Sequence, residues 1–318
     1  MSENRKVVVT DYTFPALASE EAVAKEFDAA FTAAQCRTEA EVIDAIKDAD
    51  AVFAQFAPIT QSALEVLKPG ALVVRYGVGY DNIDVQAAKS LGVSVAYVPD
   101  YCSDEVADHT AALMLALLRK LPMLDASIRN GEWAAVNVSA PLKPFGETIV
   151  GFVGLGRIGR SVMARLKPFG FRFVVADPGL TEAEPGVFQL TSVNDVLANS
   201  DIITLHAPST PSTRGLINAE SLAKMKDTAF IVNSARGDLI QTADLVQALN
   251  GGKIAGAGLD VFEEEPLPTA AELRSAPNTL LTPHAAWYSE TSIARLQSLA
   301  ADEVARHLRG ETLRCPVI

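Results

Sequence analysis

Short, mainly apolar runs punctuate the chain, with segments between them long enough to hold a helix. Before residue 100 the runs are residues 7–9, 51–53, 72–74 and 93–96. After residue 145 they are residues 149–153, 173–176, 202–205, 230–232, 257–259 and 280–281. Runs apolar on both faces are what parallel strands buried between two helix layers require, and the spacing of strand, helix and strand predicts an α/β protein. The two series are separated by a long apolar helical stretch. Ser103 follows the turn-like Pro99-Asp100 and precedes the acidic Asp104 and Glu105, so it is the expected N-cap of a helix ending near Arg119 that joins two domains.

At the far end, Ile293, Leu296, Leu299, Val304 and Leu308 recur among charged residues, which predicts an amphipathic helix over residues 289–309. Folding that helix back onto the first domain makes the first domain discontinuous. The expected division is 1–102 with 288–318 as a substrate-binding domain and 103–287 as a nucleotide-binding domain inserted into it. A chain of 318 residues exceeds what one hydrophobic core usually supports, which agrees with two domains.

The second series opens with Thr148-Ile-Val-Gly-Phe-Val-Gly-Leu-Gly-Arg-Ile-Gly159, an apolar strand running into a glycine turn and then a helix. Gly154, Gly156 and Gly159 have the spacing of a dinucleotide-binding turn. The first allows the reversal, the second lets backbone approach a pyrophosphate, and the third lets helix pack on strand. Ile158, Val162 and Leu166 line one face of the helix, and the amide groups of Arg157 and Ile158 at its start meet the phosphate charge. The next strand ends in Asp177, about 18 residues past Gly159, near the position of the carboxylate that binds adenosine ribose hydroxyls. That carboxylate repels a 2′-phosphate and no arginine adjoins it, so NAD is expected rather than NADP. Both domains then read as Rossmann-like, doubly wound parallel sheets.

Composition narrows the partners. The net charge of −12, with no cluster of Lys or Arg, argues against nucleic acid and requires a local cation for any small anionic substrate. Cys36, Cys102 and Cys315 have neither disulfide nor zinc spacing, and no metal site is expected. The N-terminal residues lack a signal-peptide core, and the apolar stretch 111–118 is too short to cross a membrane. A soluble, cytoplasmic protein is expected, with no membrane partner.

Four histidines limit the search for an acid–base group. His109 in the connecting helix and His307 in the last helix read as structural. His206 ends a strand just before Ala207-Pro208, where His206 and Pro208 face the cofactor crevice. His284, in Thr-Pro-His-Ala-Ala-Trp, lies past another strand end and is the strongest candidate. It needs a carboxylate to fix its tautomer, which Glu263-Glu264-Glu265 could supply, although such runs commonly face water. Arg236, next to Ala235 and after a third strand, carries a planar guanidinium suited to a carboxylate; a surface arginine in a tight loop is the alternative.

With these residues in place, the chain resembles the D-isomer-specific 2-hydroxyacid dehydrogenase family over nearly its whole length. The matching segments are residues 77–84 (Gly-Val-Gly-Tyr-Asp-Asn-Ile-Asp), the glycine turn with Asp177, and residues 233–237, 259–266 and 283–287. The resemblance implies a catalytic set of Arg236, Glu265 and His284, which selects Glu265 from the acidic run. It further implies Asp260 at the nicotinamide end, Thr110 at the cofactor phosphates, and the Val78-Gly79 backbone on the substrate carboxylate. Trp287 would touch the substrate side chain, implying an apolar or thioether tail, unless it only packs. Residues 98–102, 105–109 and 284–288 are similar to the branch containing the C-terminal-binding proteins, but the long extensions of the animal corepressors are missing, which favours a metabolic enzyme. A homodimer built through the nucleotide-binding domain is also implied. The expected reaction is reversible reduction of a 2-oxo acid to a D-2-hydroxy acid by NADH, with closure of the two domains excluding water. The alternative is an NAD-sensing interaction protein with vestigial chemistry.

Overall fold

The structure, a computed structural model, describes residues 5–318 and divides into two compact units, one built from residues up to Tyr101 with Ser289–Ile318, the other from Cys102–Tyr288. The first unit is a five-stranded parallel sheet: β1 (Lys6–Val9), β2 (Ala30–Ala33), β3 (Ala51–Ala54), β4 (Leu72–Arg75) and β5 (Ser94–Tyr97), in the order β2-β1-β3-β4-β5. β1, β3 and β4 are buried on both faces, as their unbroken apolar runs require. β2 was not expected from sequence. It is an edge strand whose residues are mostly exposed, so selection for a buried apolar run is absent.

The helix Glu290–Arg309 belongs to this unit. Ser289 caps it, its side chain accepting from the Ser292 N–H (2.9 Å), and Leu296, Ala300 and Val304 are fully buried. Past the helix the chain pairs with β5 through an antiparallel bridge between Ala96 and Pro316, and the Val317 N–H donates to Val95 O (2.8 Å). The buried Glu303 accepts the backbone N–H groups of Arg314 (2.9 Å) and Cys315 (2.7 Å), fixing where this tail crosses.

The second unit is a seven-stranded parallel sheet: β6 (Ile149–Val153), β7 (Arg172–Ala176), β8 (Phe188–Leu190), β9 (Ile202–Leu205), β10 (Phe230–Asn233), β11 (Gly256–Leu259) and β12 (Thr279–Leu281). Its order is β12-β11-β10-β9-β6-β7-β8. The chain reverses direction of winding between β6 and β9, and ligands of open α/β sheets bind at the carboxyl ends of the strands at such a switch point. β8, a three-residue edge strand, was likewise not expected from sequence.

The helix Ser103–Leu118 packs in this unit. Ala107, Ala111, Met114 and Leu117 share a core with Val162, Met163 and Leu166 of the helix Arg157–Leu166, and Arg165 bridges to Asp104 and Asp108. Its cap differs from expectation. Cys102 occupies the N-cap position, its side chain making no capping hydrogen bond, and Ser103 is already helical, so its hydroxyl does not cap. Two short helices not expected from sequence follow, Leu121–Arg129 and Ala135–Ser139. Among the described residues no helix is long and apolar enough to cross a membrane.

Candidate active site

Four loops at the carboxyl ends of β6, β10, β11 and β12 carry most of the residues singled out from sequence. The glycine turn leaves β6 with Gly154 at φ +89°, where a side chain would stand 2.9 Å from the His206 carbonyl. A Cβ on Gly156 would meet nothing within 4 Å, so the turn presents open space above its backbone. Gly156 is the N-cap of the helix Arg157–Leu166, and no side chain caps that helix, so its first turn, at Arg157 and Ile158, can present backbone amides to an anion. Gly159 is buried, and a Cβ there would lie 3.0 Å from Gly154 O. Asp177, at the end of β7, accepts from the Leu155 N–H inside the turn (2.6 Å) and from the Gly179 N–H (2.7 Å), which locks its carboxylate beside the turn. A helix start without a side-chain cap, an open glycine and a fixed carboxylate fit a dinucleotide.

His206, after β9, turns its ring beneath this loop. The ring stacks on Phe152 (centroids 5.7 Å apart, 23° between planes), and its Nε2 bonds the Thr204 hydroxyl (3.0 Å). Burial pushes its pKa down to about 4, so it is neutral at physiological pH. Pro208 is exposed beyond it, its carbonyl accepting from the Thr213 hydroxyl (2.6 Å). The Thr110 hydroxyl is fully buried, donating to Val106 O (2.7 Å) and bonding Ser234 Oγ (2.5 Å).

Arg236, Glu265 and His284 come from loops after three neighbouring strands, β10, β11 and β12. The first loop is held from inside by the buried Asn233, whose amide donates to Arg236 O (2.8 Å) and accepts from the Ala235 N–H (3.0 Å). Arg236 Nη1 donates to Ala235 O (2.6 Å). In the second loop the Phe262 N–H donates to Glu265 Oε1 (2.9 Å), which turns the carboxylate back toward the sheet. Its other oxygen accepts from His284 Nδ1 at 2.7 Å, both side chains being about one-third exposed. Glu263 takes a different task, accepting the Thr242 N–H (2.6 Å). Burial opposes ionisation of Glu265, but the hydrogen bond and charge of His284, the Phe262 N–H and the Arg236 guanidinium outweigh it and hold the carboxyl below the usual carboxylate range.

His284 itself has φ +52°, a left-handed conformation that costs a non-glycine residue roughly 1 kcal/mol or more. Asp260 over-determines it. That carboxylate is 1% exposed and accepts from the Ala285 N–H (2.9 Å), the Ala286 N–H (2.9 Å) and the Thr282 hydroxyl (2.6 Å), while Asp260 O accepts the His284 N–H (2.8 Å). Neither periodicity nor spacing pairs Thr282 with Asp260, or His109 with Thr282, because the partners lie more than twenty residues apart along the chain. Trp287, partly buried, meets Tyr288 edge to face (6.0 Å). Val78 and Gly79 lie in the first unit, in the loop after β4, both partly buried.

Residues 111–286, more than half of the chain, match the model of the D-isomer specific 2-hydroxyacid dehydrogenase NAD-binding domain. The chain belongs to this family. Its cofactor is accordingly NAD, which agrees with the fit of the glycine turn and Asp177. A D-3-phosphoglycerate dehydrogenase of Methanocaldococcus jannaschii is 40% identical over 278 residues, covering 86% of this chain and 52% of that protein. The chain thus spans about half the length of the curated relatives it matches. Among solved structures, the TT0316 protein of Thermus thermophilus superposes with a TM-score of 0.86 at 31% identity, covering 98% of this chain and 100% of that one. A D-lactate dehydrogenase of Aquifex aeolicus, solved with NAD and lactic acid, reaches 0.86 at 25% identity over 96% of each chain.

Proposed function

We propose that the protein is an NAD-dependent D-2-hydroxyacid dehydrogenase that interconverts a 2-oxo acid and its D-2-hydroxy acid, with Arg236, Glu265 and His284 as the catalytic set. The observation that carries this reading is the 2.7 Å bond between His284 Nδ1 and Glu265, set beside Arg236 on neighbouring loops. Held by the glycine turn, the helix start at Arg157 and Ile158, and Asp177, a bound NAD(H) would supply the hydride chemistry at the substrate's carbon. Arg236 holds the substrate carboxylate and polarises the carbonyl oxygen. His284, its Nδ1–H committed to Glu265, gives the proton at Nε2 to that oxygen in reduction and takes it back in oxidation. Glu265 stays ionised and steadies the imidazolium, so the pair acts as one acid–base unit.

The names of the relatives, a D-3-phosphoglycerate dehydrogenase and a D-lactate dehydrogenase, support a short 2-hydroxy acid as substrate class. Replacing His284 with Ala tests the assignment: NADH binding should persist while turnover falls by about 100-fold or more, the scale of a general acid–base contribution. Turnover within tenfold of the parent protein would remove His284 from the mechanism.

We also propose that the protein forms a homodimer through the helices Leu121–Arg129 and Ala135–Ser139. Among the described residues, four of the five large apolar side chains more than half exposed fall in this stretch: Leu121, Ile128, Trp133 and Val136. A second copy presenting the same face covers them with like surface.

A further inference from the structure

His109 lies on the helix Ser103–Leu118, 173 residues before Thr282, and its Nε2 is 2.9 Å from the Thr282 hydroxyl. That hydroxyl has one proton and stands 2.6 Å from Asp260 Oδ1, a carboxylate oxygen that can only accept. The proton therefore goes to Asp260, and His109 must donate to Thr282. This fixes His109 as the Nε2-protonated tautomer, with Nε2 also 3.6 Å from Asp260 Oδ1. Asp260 in turn is the anchor of the loop that carries His284, holding the Ala285 and Ala286 N–H groups and the His284 N–H.

From this chain of contacts we infer that His109 is a positioning residue for His284, acting through Thr282 and Asp260 without touching the reacting atoms. The physical role is to remove a choice. Without the His109 donor, nothing pins the Thr282 hydroxyl oxygen, and when the hydroxyl rotates away Asp260 Oδ1, in a nearly inaccessible carboxylate, keeps only the Ala285 N–H. The loop then has fewer bonds with which to hold His284 at φ +52°, and the backbone can relax toward an ordinary conformation. A shift of about 1 Å in a catalytic group costs about 100-fold in rate. The inference rests on the proposed role of His284, and it assigns His109 a task that its place in an apolar helix does not reveal.

The test is a set of variants assayed in parallel. His109→Leu should lower kcat by about 10- to 100-fold with the KM for the 2-oxo acid changed less, because Arg236 still holds the carboxylate, and with the Kd for NADH unchanged. His109→Gln, which places an N–H donor at the same reach, should restore kcat to within about threefold of the parent. The double variant His109→Leu/Thr282→Val should lose no more than Thr282→Val alone, since the two residues act in series. A kcat for His109→Leu within twofold of the parent, equal losses for Leu and Gln, or additive losses in the double variant would overturn the inference. Should the parent protein turn over no 2-oxo acid at all, the proposed activity fails and the positioning claim is read from amide hydrogen exchange. Faster exchange at Ala285 and Ala286 in His109→Leu sustains it, and unchanged exchange overturns it.

Discussion

Burial keeps the His206 imidazole uncharged, and that makes one side chain beneath the glycine turn a source of acid sensitivity. Its pKa drops from an ordinary 6.5 to about 4 in the folded protein. Between those values the unfolded chain binds a proton that the folded chain does not, so stability rises with pH across the window and is lost as pH falls through it. His206→Gln, which keeps a polar partner for Thr204 but cannot titrate, should flatten the dependence of the melting temperature on pH between about 6.5 and 4. Parallel curves for the variant and the parent would show that His206 is not the group responsible. The Glu265 pKa is lowered too, but on an acid that shift favours the charged form: the proposed His284–Glu265 pair keeps its carboxylate until the pH falls below the ordinary carboxylate range, and its stabilisation is likewise lost as the pH falls.

At the scale of elements, three loops must meet for the site to exist, and their approach is close enough to dictate residue size. A Cβ on Gly237 would lie 1.9 Å from Phe262 O and 2.7 Å from Glu263 N, both backbone atoms that cannot swing aside. Gly237→Ala should therefore push the loop after β11 outward, take Glu265 with it through the Phe262 N–H, and destabilise the protein by about 1 to 3 kcal/mol. Denaturant unfolding together with kcat checks both effects; a variant of parental stability and activity would show that the loops yield without cost. The buried strands were legible in the sequence because parallel strands covered on both faces are mostly apolar, whereas β2 and β8, at sheet edges, carry no such mark. The glycine turn was legible because its spacing is a backbone requirement. The clamp formed by Asp260, Thr282 and His109 was not, since periodicity is blind to a bond spanning 173 residues. The acidic run divides its work between Glu263 and Glu265, a split that depends on which carboxylate the backbone turns inward.

For the whole molecule, the stretch between Lys120 and Ala140 stands apart. Trp133 is 93% exposed and Val136 75%, more than any other large apolar side chains in the described residues. Trp133→Glu should convert a homodimer to a monomer in size-exclusion chromatography with light scattering, while leaving the circular dichroism spectrum intact. A parent protein that is already monomeric would contradict the proposed interface. The larger question at this scale is whether a family fold with the proposed set of Arg236, Glu265 and His284 is used for turnover or only for sensing NADH. The measurement that decides it is NADH consumption by the parent protein across a panel of 2-oxo acids that includes pyruvate, glyoxylate and hydroxypyruvate, with D-lactate and D-3-phosphoglycerate tested in the NAD-reducing direction. Catalysis predicts sustained turnover on at least one of them, abolished by His284→Ala. Tight NADH binding with no turnover on any member of the panel would contradict it and favour the sensor.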